Sequence, residues 1–342
     1  MPTCGLGGIP VGRDHLTDAE GADLVRRAID AGLTLIDTFG NYGRSEIRIG
    51  GALKGRREQA VLVTKSRATF TPEEFTAMAE QSLKDLEVDC IDVLLLKNID
   101  GDEALERLEE NVAALQKLKE QGKVRYSGLS SHSPHHACRA LETGLLDVAE
   151  VPYNYANRHF EQVLDVAHRM DLGILAMKPL GGGRLFADVD KGAPETLETL
   201  VGALSFSLSH PSNPVLIPGI GSEAELDRYM EAIPKIRRLD DAEREALSAS
   251  ALQFGDDFCR ACGYCTAVCK AGIPIDEVLP LLDRAKHVQT DGTYVRLLKD
   301  RYLELGIAAD ACAECRKCIE ECPYDLPIPE LLREASATFI DS

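Results

Sequence analysis

Eight of the eleven cysteines fall into two short runs near the end of the chain, and their spacing constrains the fold more than any other feature. Each run has the pattern C-x2-C-x2-C-x3-C. A run of this kind supplies three thiolates to one 4Fe-4S cluster, while its fourth cysteine ligates a second cluster. The sequence therefore predicts two 4Fe-4S clusters. The first run is Cys259, Cys262, Cys265 and Cys269, and the second is Cys312, Cys315, Cys318 and Cys322.

The displaced fourth cysteine also predicts which thiolates share a cluster. Structural zinc usually has two separated pairs of ligands, and a reducing cytoplasm does not keep disulfides, so both are weaker interpretations of the spacing. The other three cysteines are scattered, which is typical of small buried side chains. The predicted ligand sets are Cys259, Cys262, Cys265 with Cys322, and Cys312, Cys315, Cys318 with Cys269.

Upstream of these runs, short apolar segments alternate with longer amphipathic ones, which is typical of parallel βα units. Eight such units predict a (β/α)8 barrel, although a doubly wound open sheet has the same alternation. The first strand lacks a glycine-rich dinucleotide-binding fingerprint, which disfavours the open sheet. The predicted strands are Cys4–Gly7, Leu33–Asp37, Val61–Lys65, Ile91–Leu96, Val124–Leu129, Ala149–Pro152, Gly173–Met177 and Val215–Pro218. The predicted helices include Asp18–Ala31, Pro72–Leu86, Glu103–Gln121, Phe160–Met170, Pro194–Ser209 and Glu223–Ile233.

The length of 342 residues accommodates a barrel of about 250 residues and a smaller partner. We therefore expect a barrel over residues 1–240 and a helical ferredoxin-like domain over 241–342, with helices over Ile275–Lys286 and Thr293–Leu305. The formal net charge of −18 disfavours nucleic acid and anionic lipid as partners. Because the chain shows neither a signal sequence nor a long apolar span, we expect a cytoplasmic protein without a membrane partner.

Polar side chains stand where three consecutive predicted strands end. Asp37 ends the second strand, Lys65 ends the third, and Lys97 directly follows the fourth. Tyr42 lies in the loop after Asp37. Because active sites of (β/α)8 barrels lie at this face, we predict that these four residues form a proton-transfer site for a small-molecule substrate.

At these residues the chain resembles the aldo-keto reductases, through the segments Asp37–Glu46, Gly128–His132 and Ile217–Gly219 and the strand that ends in Lys65. With its cysteine runs it resembles the subgroup that carries a ferredoxin-like extension. The resemblance implies an oxidoreductase in which Tyr42 protonates a carbonyl oxygen while a nicotinamide cofactor, NAD(P)H, delivers hydride. A cationic Lys65 would lower the pKa of the Tyr42 phenol below its usual value of about 10, and Asp37 would hold Lys65 in place.

The resemblance also implies a set of nicotinamide cofactor contacts. Glu150 departs from the family pattern, since a carboxylate replaces a common glutamine and cannot donate to the carboxamide oxygen. The helix after Ser222 can bind a phosphate through its free backbone N–H groups. The implied contacts are Ser130, Ser131, Glu150, Met177, Gly219 and Ser222.

Lys97 stands where the family usually has a histidine that orients the carbonyl. Three outcomes are open: a second cation that makes Tyr42 more acidic, a lysine of depressed pKa that acts as a base or nucleophile, or a side chain that turns to solvent. The function accordingly has three hypotheses. The first is an NAD(P)H-linked reductase of a small carbonyl or sugar-like compound, whose clusters relay electrons to a partner protein or brace the fold. The second is acid-base or one-electron chemistry by Tyr42, Lys65 and Lys97, and the third is an electron-transfer subunit.

Overall fold

Eight parallel strands, β1 to β8 in chain order, form one sheet. The structure is a computed structural model that describes residues 3–181, 185, 194–250, 259, 264–287, 298–299, 302–303, 305–306, 309–322 and 326–340. Backbone hydrogen bonds of 2.8 Å, from Gly5 N to Leu216 O and from Gly7 N to Pro218 O, join the first strand to the last. The predicted (β/α)8 barrel is therefore confirmed, and the open sheet is excluded. The strands are β1 (Leu6–Gly7), β2 (Leu35–Asp37), β3 (Val61–Arg67), β4 (Ile91–Lys97), β5 (Val124–Ser130), β6 (Val148–Pro152), β7 (Gly173–Met177) and β8 (Val215–Ile217).

The helices between the strands begin where the sequence supplies caps. Thr17 and Thr71 each form a capping box with the glutamate three residues later. The segment predicted as one helix from Glu103 to Gln121 is two helices, because the chain turns at Arg107. The helices are α1 (Asp18–Asp30), α2 (Ser45–Leu53), α3 (Pro72–Asp85), α4 (Asp102–Glu106), α5 (Leu108–Glu120), α6 (Pro134–Leu141), α7 (Glu161–Arg169), α8 (Pro194–Leu208), α9 (Glu223–Ala232) and α10 (Asp241–Ser250).

The interior of the barrel changes from apolar to charged along the strand direction. Val63 and Leu95 belong to an apolar cluster inside the barrel. Because side chains two residues apart on a strand share a face, Lys65 follows Val63 and Lys97 follows Leu95 on the inner side. The charged residues thus lie at the carboxyl ends of the strands.

The chain divides into two compact units, the first made of Met1–Gly182 and Pro194–Leu247 and the second containing Ser248–Ser342. The described part of the second unit is helical, and its core includes the buried Cys259, Cys265 and Cys318. Cys262 and most of the predicted helix Thr293–Leu305 lie outside the described residues. Within the described residues, no helix has the length and apolar character needed to cross a membrane. The described helices of this unit include Tyr264–Ala267, Ile275–His287, Lys317–Glu320 and Ile328–Phe339.

Candidate active site

Lys65 is the centre of a buried charged cluster at the carboxyl ends of the strands. Its side chain is fully buried, and its ammonium group donates to a carboxylate oxygen of Asp37 and to Thr38 O, the latter at 3.1 Å. Lys65 Nζ also lies 3.1 Å from Glu150 Oε2. The lysine is therefore paired with two buried carboxylates rather than with the single one predicted from the sequence.

The two buried carboxyl groups interact with the same lysine, and each affects the pKa of the other. Burial raises the pKa of Asp37 well above its usual range, and the charge of Glu150 raises it further. Burial also opposes ionisation of Glu150, but Lys65 and a hydrogen bond with Asp37 outweigh it and lower the pKa of that carboxyl. Burial disfavours the charge of Lys65, yet the two carboxyl groups outweigh burial and raise its pKa.

Tyr42 is half-buried in the turn between β2 and α2, with its ring centroid 5.8 Å from Lys65 Nζ. Gly12 packs against this turn so closely that a Cβ atom there would lie 1.6 Å from Tyr42 O, so only glycine fits. Burial raises the pKa of Tyr42, Lys65 lowers it, and Asp37 and Glu150 raise it. The net shift is upward, opposite to the effect expected of Lys65, because burial, assisted by the two carboxyl groups, outweighs the charge of the lysine.

Lys97 is half-buried at the end of β4, and Arg67 of β3 is its partner in the strand register. Both side chains flank Phe39, with Lys97 Nζ 5.2 Å and Arg67 Cζ 6.0 Å from the ring centroid. Burial, followed by the charge of Lys65, lowers the pKa of Lys97. Within the described chain, neither cation has an ion pair or a side-chain hydrogen bond. Arg67 was absent from the predicted site, although its position two residues after Lys65 places it on the same face.

Three of the predicted nicotinamide contacts are bonded to groups of the protein. Ser130 Oγ donates to Glu150 Oε1 at 3.1 Å, and Ser131 Oγ bonds to Ile99 O at 2.7 Å and to Asp100 Oδ1 at 2.8 Å. Glu150 itself is directed at Lys65. These three side chains are thus bonded within the protein, and their role as nicotinamide contacts stays a prediction. Met177 ends β7 and is partly exposed.

The N-terminus of α9, where a nucleotide phosphate is predicted to bind, has backbone amides without a partner among the described residues. Ser222 caps α9, where its hydroxyl accepts from Glu225 N at 3.2 Å, while the carboxylate of Glu225 accepts from Gly221 N at 2.8 Å. Gly219 is exposed before this turn. Across the described chain, the amides of Ser222, Glu223 and Ala224 have no hydrogen-bond partner. Unbonded amides at a helix N-terminus fit a phosphate group, so this end of the site suits a dinucleotide.

Four cysteines of the predicted second ligand set lie close together. Burial raises the pKa of the Cys318 thiol, and neighbouring Cys312, Cys315 and Cys269 raise it further. The helices Tyr264–Ala267 and Lys317–Glu320, one from each cysteine run, pack against each other. A 4Fe-4S cluster is bound by thiolates at its corners, and these thiols fit that arrangement. Among the described residues, no three His, Cys, Asp or Glu side chains converge tightly enough to hold a single metal ion.

Residues 3–201, more than half of the chain, match the aldo/keto reductase family. The chain belongs to the aldo/keto reductase family. Residues 258–328 match the 4Fe-4S dicluster domain. The predicted family, its oxidoreductase class and the 4Fe-4S clusters are therefore confirmed.

Relatives support the same family assignment. Probable aldo-keto reductase 1 of Glycine max is 30% identical over 184 residues, with 50% of this chain and 52% of that protein covered. The chain thus spans about half the length of this curated relative. Its fold is similar to that of an aldo/keto reductase from Klebsiella pneumoniae in complex with NADP and acetate, with a TM-score of 0.61, 25% identity and coverage of 73% and 92% of the two chains. The thermostable aldo-keto reductase Tm1743, in complex with the inhibitor epalrestat, gives a TM-score of 0.60, 26% identity and coverage of 73% and 95%.

Proposed function

We propose that this aldo/keto reductase catalyses NAD(P)H-linked reduction of a small carbonyl compound, with Tyr42 as the general acid. The observation that carries the proposal is the position of the Tyr42 ring beside Lys65, with Lys65 Nζ 5.8 Å from its centroid. The similar Klebsiella pneumoniae enzyme is in complex with NADP. The unbonded amides at the start of α9 support binding of a nucleotide phosphate here as well.

Tyr42, Lys65 and Asp37 have separate roles in proton transfer. When bound, the nicotinamide supplies the hydride that the carbonyl carbon accepts. Tyr42 donates its phenolic proton to the carbonyl oxygen and becomes a phenolate, which the ammonium group of Lys65 stabilises. Asp37 accepts a hydrogen bond from Lys65 and holds it in position.

The two cysteine runs hold two 4Fe-4S clusters in a domain that we place at residues 241–342, after a barrel at 1–240. The proximity of Cys269 to the second run supports the exchanged ligand sets predicted from the spacing. Each cluster carries one electron at a time, so the clusters suit exchange with an electron-transfer protein rather than hydride transfer. Because the ligating thiolates require a reducing compartment, we place the protein in the cytoplasm.

The first test is an anaerobic titration of the cluster-replete protein with NADH and NADPH, followed by nicotinamide fluorescence and cluster absorbance. We expect one nucleotide to bind, and Tyr42→Phe to lower turnover of a carbonyl substrate by about 10² to 10⁴-fold with its clusters intact. Bleaching of the clusters on addition of the nucleotide would indicate electron exchange between the two centres. Absence of binding by either nucleotide would refute the proposal. A turnover loss in Tyr42→Phe would also exclude a mere electron-transfer subunit.

A second candidate is acid-base chemistry without hydride, and Lys97 is the residue that favours it. Its pKa is lowered by burial and by Lys65, as a lysine that acts as a base or nucleophile at neutral pH requires. The two candidates differ in the effect of Lys97→Ala. Full retention of turnover by this variant would exclude the second candidate, whereas turnover without nucleotide that Lys97→Ala abolishes would support it.

A further inference from the structure

We propose that Arg67 and Lys97 form a binding site for an anionic group, a carboxylate or a phosphate ester, carried by the substrate of the barrel. The role of this group as part of a carbonyl substrate rests on the function proposed above. The binding of the anion itself does not, because it needs neither nucleotide nor turnover.

The strand register places the two cations side by side on the inner face of the barrel. Arg67 pairs with Lys97 across β3 and β4, and Lys97 pairs with Ser130 across β4 and β5. Arg67 shares its face with Lys65, two residues earlier on β3. The pair therefore lies at the carboxyl ends of β3 and β4, at the same end of the barrel as Lys65.

Arg67 and Lys97 lack ion-pair partners among the described residues, unlike the neighbouring Lys65. Lys65 is matched by Asp37 and Glu150, but in the described part of the chain no carboxylate lies within ion-pair distance of Arg67 or Lys97. Asp100, which is close enough to affect the pKa of Lys97, is bonded instead to Ser131 Oγ and His132 N. Two half-buried cations on one face thus have no ion-pair partner among the described residues, although the formal charge of the chain is −18.

The aromatic contacts of these side chains do not replace an anion. Lys97 Nζ lies 5.2 Å and Arg67 Cζ 6.0 Å from the centroid of Phe39, so the ring attracts both charges. A ring face accepts no strong hydrogen bond, and the ammonium and guanidinium groups together carry eight N–H donors. A guanidinium presents two parallel donors to a carboxylate or phosphate, and a neighbouring ammonium adds a point charge.

Phe39 also sets the distance between this site and the proton donor. Its ring contacts Tyr42 edge to face, with 5.4 Å between the ring centroids, and it contacts Lys97 as well. The Phe39 ring would therefore lie between Tyr42 and an anion held by Arg67 and Lys97. The substrate class that fits is an aldehyde or ketone with an anionic group a few bonds from the carbonyl carbon.

Calorimetric titration of the anaerobic, cluster-replete protein without nucleotide tests this proposal with three matched probes. The probes are neutral butanal, the carboxylate 4-oxobutanoate and glycolaldehyde phosphate. We expect at least one anion to bind about tenfold or more tightly than butanal, and Lys97→Met and Arg67→Gln each to remove most of that preference. The anion that binds more tightly identifies the group as carboxylate or phosphate. Lys54→Met is the matched control, since Lys54 is exposed and pairs with Glu87 at 3.6 Å.

Equal affinity for all three probes would overturn the proposal, and so would a preference that Lys54→Met removes equally. Circular dichroism and cluster absorbance verify that each variant is folded. If Lys97→Met does not fold, Lys97→Arg, which keeps the charge, is expected to retain the preference, and its loss there would count against the site. Anion binding that depends on Lys97 while no nucleotide binds would leave this proposal standing and refute the hydride-transfer function.

Discussion

The two units neutralise their buried reactive groups in different ways. In the barrel, the charge of Lys65 is balanced by Asp37 and Glu150, both supplied by the same chain. In the second unit, Cys259, Cys265 and Cys318 are buried among aliphatic side chains, and iron is the cation that suits their thiolates. The charge of Lys65 is therefore balanced by the chain itself, whereas the thiolates of the second unit depend on iron.

Loss of iron provides the strongest test of this difference, since it should unfold one unit and spare the other. Removal of iron by chelation is expected to abolish the cluster absorbance and the hydrogen-exchange protection of residues 264–340, while residues 3–181 stay protected. Cys318→Ala should lower the iron content from about eight atoms per chain to about four or fewer. Cys138→Ala is the control, because Cys138 lies in α6, outside both runs. Full hydrogen-exchange protection of the second unit without iron would show that this unit does not need iron to fold.

Removal of the lysine tests whether the barrel site is balanced internally. Lys65→Met leaves two buried carboxyl groups without a cation, and we expect a loss of about 3 to 5 kcal/mol in the free energy of unfolding at neutral pH. The loss should shrink as pH falls, because the carboxyl groups then take up protons. Urea unfolding, with Lys54→Met as the control, measures it. A loss below about 1 kcal/mol would mean that the carboxyl groups are neutral or reach water in the native state.

The predicted parts of this site are those that local sequence determines. An apolar run that ends in a polar residue places Asp37, Lys65 and Lys97 at one rim, because all parallel strands of a barrel end there. The contact between Lys65 and Glu150 was not predicted, since β3 and β6 are not neighbours and their side chains meet across the barrel. That contact depends on the stagger of the closed sheet, which no local pattern encodes.

The errors in the rest of the fold have similarly local causes. α2 is not among the helices that the sequence indicates, because it contains Gly50 and Gly51 and begins without a side-chain cap. α4 and α5 were merged because their charged and apolar residues continue one periodic pattern through Arg107. The cysteine spacing, in contrast, predicts the cluster unit directly, because each run places its ligands within one short segment.

Removal of one carboxylate tests which group sets the proton affinity of the site. Glu150→Gln keeps the side-chain size but removes a charge that raises the pKa of Tyr42. That pKa should fall, so the alkaline limb of the kcat/KM profile should move to lower pH, with less than about a tenfold change in rate at neutral pH. Glu46→Gln is the matched control, because Glu46 is also buried but binds Thr64. An unchanged profile would show that the charge of Glu150 has no effect on the pKa of Tyr42.

Lys97 gives the smallest expected effect, and its environment differs from that of Lys65, because no carboxylate among the described residues forms an ion pair with it. Its native pKa is lowered from 10.5, so the unfolded chain binds the proton more tightly than the folded one. The charged lysine therefore opposes folding at neutral pH, and this effect declines as pH rises towards 10.5. Because Lys97 is only half-buried, solvent screens much of it, and Lys97→Met should raise the free energy of unfolding by at most about 1 kcal/mol at pH 7. Urea unfolding at pH 7 and pH 10 should show the gain shrinking at the higher pH, whereas Lys54→Met should show no such trend. A destabilised Lys97→Met variant would mean that the chain itself satisfies this lysine, and the contrast between Lys65 and Lys97 would then be lost.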